Sequence, residues 1–185
     1  SEAPFLKEMM VTRRPVIKSR ITRSFFSPTN RPPFNIDELS NDIDYYPDEY
    51  LNRLAHDGIN ALWLGATLRF LVKTPRIPEY GKDYKRRIDK LNATIAKCRR
   101  YGIKVYVFAM EPMYLQNEMA DNHPEMLGGD PWVDGNGTRV YPVCPLTDAG
   151  RGYLLEATEK LFRTLPDLGG YMCITCGERL TTCAS

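Results

Sequence analysis

Tyr171–Arg179, YMCITCGER, stands directly behind the pair Gly169–Gly170. Its first four residues are an apolar run bounded by glycine, which reads as a short buried strand. The run ends at Thr175, and Glu178 follows three residues later. A carboxylate at the C-terminal tip of a buried strand is where a parallel α/β fold keeps its chemistry, because loops from several strands converge there. The competing reading is a strand-end Glu paired with Arg179 or a neighbouring Lys. What precedes this strand decides which kind of sheet it joins.

Asp148 to Thr164 reads as a helix capped by Thr147 or Asp148 and closed by Pro166 and the glycine pair. Leu154, Leu155, Leu161 and Phe162 are its expected apolar face. Before it, Ile103–Met110, IKVYVFAM, reads as a strand. The helix in front of that strand carries Tyr84, Ile88, Leu91, Ile95 and Cys98 on one stripe, and Gly102 stops it. Ile59–Leu64, INALWL, is an earlier strand. Pro47 suits the first position of the helix ahead of it, Asp48 and Glu49 suit its positive end, and Gly58 ends it. Val16–Phe26, VIKSRITRSFF, mixes β-branched and aromatic residues in rough alternation and reads as strand one. The stretches 27–33, 35–46 and 65–80 read as connections.

The order is therefore strand, loop, helix, repeated until a fourth strand is reached. Helices between consecutive strands imply parallel pairing with right-handed crossovers. Long connections after strands and tight turns before them are how a TIM barrel is built. The lack of a Gly-rich phosphate turn after strand one counts against a nucleotide-binding doubly wound sheet. A full barrel needs eight units and about 250 residues, whereas this chain has 185 residues and four such strands. The expectation is an α/β domain over 16–185 forming the first half of a TIM barrel, preceded by an irregular segment over 1–15. Its two outer strands would then present open edges, so the remaining half, in cis or from another chain, is an expected partner.

Hydrophobic content of 43% with 26% charged residues is that of a soluble globular protein. A net charge of +2 gives no argument for nucleic acid. No apolar run is long enough to span a membrane, and Ser1–Met10 lacks the apolar core of a signal peptide. The expected compartment is cytoplasmic, or periplasmic or extracellular if a leader was removed. Five cysteines are too sparse for a disulfide framework. Cys173-x-x-Cys176 with Cys183 invites a zinc site, but the first thiol lies inside a strand and a fourth ligand is missing, so buried thiols are expected, with no metal and no cofactor.

The connection from Glu111 to Pro145 is about 35 residues without an evident regular element, and connections beyond about 15 residues are usually functional or disordered. It is too apolar for disorder, and it mixes aromatic rings such as Trp132 with Glu111, Asn117 and His123. Rings that stack on pyranose C–H faces, beside amides and carboxylates that bond hydroxyls, suit a sugar. The alternative is a folded loop packed on the sheet rim. Glu111 closes strand three much as Glu178 closes strand four, and glycoside hydrolysis usually uses two carboxyl groups. The second carboxylate could equally lie in a missing half. His123, in His-Pro-Glu, is either a local hydrogen-bonding residue or a proton carrier.

Three stretches resemble glycoside hydrolase family 20, the β-N-acetylhexosaminidases, and related sugar-hydrolase barrels. Thr22-Arg-Ser-Phe-Phe26 is similar to that family's first strand, where an Arg holds sugar hydroxyls; this matches Arg23. Ile59-Asn-Ala-Leu-Trp63 resembles its second strand. Ile174-Thr-Cys-Gly-Glu178 stands where the family has Gly-Gly-Asp-Glu, whose final Glu is the general acid; this matches Glu178. The resemblance implies a glycosidase acting on a carbohydrate through Glu178, with Arg23 and, less directly, Arg69 and Trp132 holding the sugar. Gly177 replaces the family's Asp, which orients the acetamido group, and the second-strand His is absent. Those departures favour the alternative, a carbohydrate-binding or scaffold barrel without catalysis.

Overall fold

The computed structural model describes residues 12, 14–23 and 37–175. Four strands, β1 (Ile21–Arg23), β2 (Ala61–Gly65), β3 (Lys104–Met110) and β7 (Gly170–Ile174), form a parallel sheet in the order β1-β2-β3-β7. Between them lie α1 (Asp48–His56), the single turn α2 (Leu68–Leu71), α3 (Tyr84–Arg99) and α5 (Asp148–Thr164). The mixed α/β character and the parallel pairing read from the sequence are both present. Strand one is shorter than its expected span, beginning at Ile21, and the part over 24–26 lies outside the described residues.

Local signals explain most boundaries. Gly58 and Gly102 take the left-handed conformation that ends a helix, with φ of 78° and 69°. The Thr147 hydroxyl accepts from the Gly150 amide at 3.1 Å and caps α5. Pro47 is one position earlier than expected, flanking α1 instead of entering it. The face of α5 is a correction. Gly150, Tyr153, Ala157 and Leu161 are buried, while Leu155 and Phe162 are 66% and 38% exposed. The small residues let the helix seat closely: a Cβ on Gly150 would fall 2.1 Å from the Cys144 carbonyl oxygen. That seating rotates the larger Leu155 and Phe162 outward.

The connection over 111–145 is a second correction, because it is built and not irregular. It contains β4 (Leu115–Gln116), α4 (Asn117–Asn122), a 3₁₀ turn (Pro124–Met126), β5 (Trp132–Val133) and β6 (Arg139–Tyr141), with a small antiparallel sheet in the order β4-β6-β5. The overlooked signal is Asn136-Gly137 between two short apolar runs, a hairpin signature. Gly137 sits at φ 79°, and the Asp134 carboxylate accepts from the Asn136 and Thr138 amides, each at 2.9 Å.

Register divides the parallel sheet into two unlike faces, since paired residues on parallel strands share a side. Leu62 pairs with Val105 and Leu64 with Val107. All four are buried in one cluster with Leu51 of α1, Leu91 of α3 and Leu161 of α5, so these helices cover that side. The alternate residues Trp63, Tyr106, Phe108, Met110 and Met172 are only half-buried. Ile21 and Ile174, on the two edge strands, are about two-fifths exposed at 39% and 40%.

Candidate functional site

The ends of β2, β3 and β7 converge on Glu111. It follows β3 directly and continues the alternation of Val105, Val107 and Ala109, so it belongs to the helix-covered side and is 4% exposed. One carboxylate oxygen accepts from the Leu68 amide at 2.9 Å and from the Tyr171 hydroxyl at 3.3 Å. The other accepts from the Met113 amide at 3.0 Å. Leu68 is the first residue of α2, and Thr67 before it makes no side-chain cap. Glu111 thus serves as the missing cap, delivered from another strand. Burial pushes its carboxyl pKa up, against the pull of the two amides, Arg69 and Tyr171.

Three tyrosines surround this carboxylate. The hydroxyls of Tyr80, Tyr153 and Tyr171 are all pushed up, chiefly by burial, and Tyr80 reaches about 12. The rings of Tyr80 and Tyr153 are 5.9 Å apart. Sequence reading missed this group, because no spacing rule joins positions 80, 153 and 171. Arg69 belongs to α2, and its Nε is buried without an acceptor. Its guanidinium carbon stands 4.9 Å from the Phe70 ring centre, and that of Arg87 stands 5.2 Å from the same ring. Thr67 Oγ1 and Trp132 Nε1 are likewise buried without partners. Buried donors of this kind are rare and call for an acceptor, and all three lie in the connections that follow β2 and β3.

The other predicted residues are dispersed. Arg23 ends β1 on the open face and is paired in register with Trp63; its guanidinium carbon lies 5.3 Å from the indole centre. Trp63 in turn meets Phe108 at 4.6 Å. Trp132 contacts Tyr114 edge-on at 6.0 Å. His123 Nε2 lies 3.0 Å from Glu79 and its Nδ1 3.6 Å from Glu125. The His123 contact also holds the Glu79 carboxyl below its ordinary range. This pair ties the 111–145 segment to the connection after β2. Asn117 opens α4 at φ 39° and is exposed. Glu178, Cys176 and Cys183 lie outside the described residues. Arg69 and Glu111 are therefore brought together, whereas Arg23 projects from the opposite side of the sheet.

Among the described residues no group of three or more His, Cys, Asp or Glu could hold a metal ion, and no helix is long and apolar enough to cross a membrane. Cys98 and Cys144 are buried thiols. Cys173, expected to be buried, is exposed because β7 is an edge strand. Protein-family models and curated proteins give no match to the chain, so the family resemblance rests on its three motifs.

Proposed function

We propose that this chain is one half of a glycoside hydrolase-like barrel, completed by further strand–helix units in cis or by another chain. The observation that carries the reading is the one-sided sheet. Its strands follow chain order without reversal, and α1, α3 and α5 bury their stripes on one side only. A doubly wound sheet reverses direction and covers both faces. A parallel sheet is normally covered on both sides, and a sheet that closes on itself covers the second side with its own strands. The side that no described helix covers carries Trp63 and Phe108, with Arg23 stacked on Trp63. An aromatic surface with a guanidinium at a strand tip suits the C–H faces and hydroxyls of a pyranose.

In this reading Glu178 is the general acid. Its carboxyl donates a proton to the glycosidic oxygen as the C1–O bond breaks, and water supplies the hydroxyl that C1 gains. Glu111 is enclosed by three donors on the helix side, so it holds α2 and with it Arg69 in place. The second carboxylate then comes from the complementary half. The test uses a polypeptide that also carries the complementary strands, assayed on an aryl glycoside. Glu178→Gln should abolish turnover, and unchanged turnover removes Glu178 from the mechanism.

A second reading, a carbohydrate-binding or scaffold barrel without catalysis, is favoured by Gly177 where the resembled family has Asp. Sugar binding by calorimetry without hydrolysis in the completed barrel selects it.

A further inference from the structure

Residues 37–46, ahead of α1, are strapped against α3 by cations of that helix. Arg87 pairs with Asp37, Arg86 with Asp42 at 3.1 Å and Lys97 with Asp44 at 2.6 Å. Lys90 Nζ donates to the Asn41 carbonyl, and to the Ile43 carbonyl at 2.8 Å. The strap's own backbone bonds are local. The Ser40 amide donates to the Asp37 carbonyl at 3.0 Å, and the amides of Leu39, Ile43 and Tyr46 donate to side-chain oxygens of Asp37, Asn41 and Asp44. Among the described residues it shares no ladder hydrogen bond with either sheet. It can therefore leave α3 as a unit while the sheet stays intact.

Beneath the strap, Glu38, Leu39 and Tyr46 are 1%, 2% and 5% exposed. Glu38 is the unusual member. Its Oε1 accepts from the Tyr46 hydroxyl at 2.9 Å, whereas Oε2 is buried with no partner. An ionised carboxylate needs donors at both oxygens and has no proton to give. Leaving one charged oxygen dry is costly, so the closed strap fits the neutral acid.

The groups that face Glu38 are Tyr46 and Asp37 from the strap and Lys90 from α3. Asp42, Asp44, Arg86, Arg87 and Lys97 line the same seam. None of them is a histidine, the side chain whose ordinary titration falls between pH 5 and 8. Lys90 is engaged by the strap carbonyls and leaves Oε2 unpaired. The ion pairs hold the strap only weakly. Asp42 and Asp44 are 96% and 58% exposed, and exposed pairs contribute little.

We infer that residues 37–46 are a proton-latched strap, closed on α3 while the Glu38 carboxyl is neutral and released from it when that proton leaves to water. Release withdraws Asp37 from Arg87. The Arg87 guanidinium stacks on Phe70, the ring it shares with Arg69, so the strap bears on the residues around Glu111 through that ring. The device is independent of the sugar-cleaving reading, because it uses neither Glu178 nor the open face of the sheet.

Amide hydrogen exchange of the full 185-residue chain, followed by NMR, tests the latch. Burial raises the Glu38 carboxyl from 4.5 to about 7, so its contribution to closure is full below pH 4.5 and is lost as pH rises to about 7. Protection of the Leu39, Ser40 and Tyr46 amides, corrected for intrinsic exchange, should fall roughly 70-fold between pH 5 and pH 8. It should not respond to low urea, because a local opening exposes little surface. The Ala66 amide, which donates to the Phe108 carbonyl at 3.0 Å within the sheet, should stay better protected and respond to urea. Glu38→Gln should make protection of the strap independent of pH. Tyr46→Phe removes a bond that favours the charged carboxyl, so the loss should extend to higher pH. Strap amides that open only together with Ala66, protection in the parent that does not change with pH, or an unaltered pH profile in Glu38→Gln overturns the inference. Should Glu38→Gln fail to fold, Tyr46→Phe decides, and an unaltered profile there overturns it equally.

Discussion

The two sides of the parallel sheet are built from alternate residues of the same strands, yet they solve opposite problems. On one side Leu62, Leu64, Val105 and Val107 are sealed under helices, and Glu111 and Glu38 are buried with them at 4% and 1% exposure. On the other, Trp63, Phe108 and Met172 are only partly buried, and Arg23 rests on a ring. The covered side hides carboxyl groups at the cost of raised pKa values. The open side keeps the Arg23 guanidinium, stacked on Trp63, in contact with water. Burial here follows the helix layer and not the hydrophobicity of a strand residue alone, since Phe108 is as apolar as its chain neighbour Val107 and yet only Val107 is fully buried.

The largest expected effect breaks the covered side. Leu64→Ala should cost about 3 kcal/mol or more in unfolding by urea, because a fully buried leucine leaves a cavity behind. A loss under about 1 kcal/mol would mean that the helix layer is loosely packed.

A smaller effect sharpens the contrast through pH. Burial raises the Glu38 carboxyl from 4.5 to about 7, against the Tyr46 hydroxyl, which donates to it at 2.9 Å, and against Lys90. Between those two values the folded chain holds a proton that the unfolded chain has released. Stability from this group is therefore greatest below pH 4.5 and falls as pH rises to about 7. The full change is ~3 kcal/mol at most. The stability difference between the parent and Glu38→Gln, measured at pH 4.5 and at pH 8, should shift in favour of the variant at the higher pH. A difference that does not move with pH would show that Glu38 is solvated.

The smallest effect belongs to the open side. Trp63→Ala should cost this chain about 1–2 kcal/mol, because its ring is half-buried and packs on Phe108. In a completed barrel the same substitution should cost more, about 3–5 kcal/mol. Equal costs in the two contexts would mean that this face stays uncovered.

Much of the fold was legible because its signals are local. The stripe of α3, the left-handed glycines at 58 and 102 and the Thr147 cap each act within about four residues, the reach of helical hydrogen bonding and side-chain neighbours. The α5 face was misread because Leu155 and Phe162 outweigh Gly150 and Ala157 in hydrophobicity, while close packing favours the small residues. The hairpin at Asn136-Gly137 was present in the sequence and was hidden by strands of only two and three residues.

The parallel strands, the principal helices and their alternation are written in periodicity and capping, which are properties of neighbouring residues. What Glu111 does emerges only when the chain is folded, since the Leu68 amide and Tyr171 hydroxyl that claim it come from 43 and 60 residues away. Charges separated along the chain interact only once the backbone has brought them within a few ångströms, and no spacing in the sequence encodes that distance.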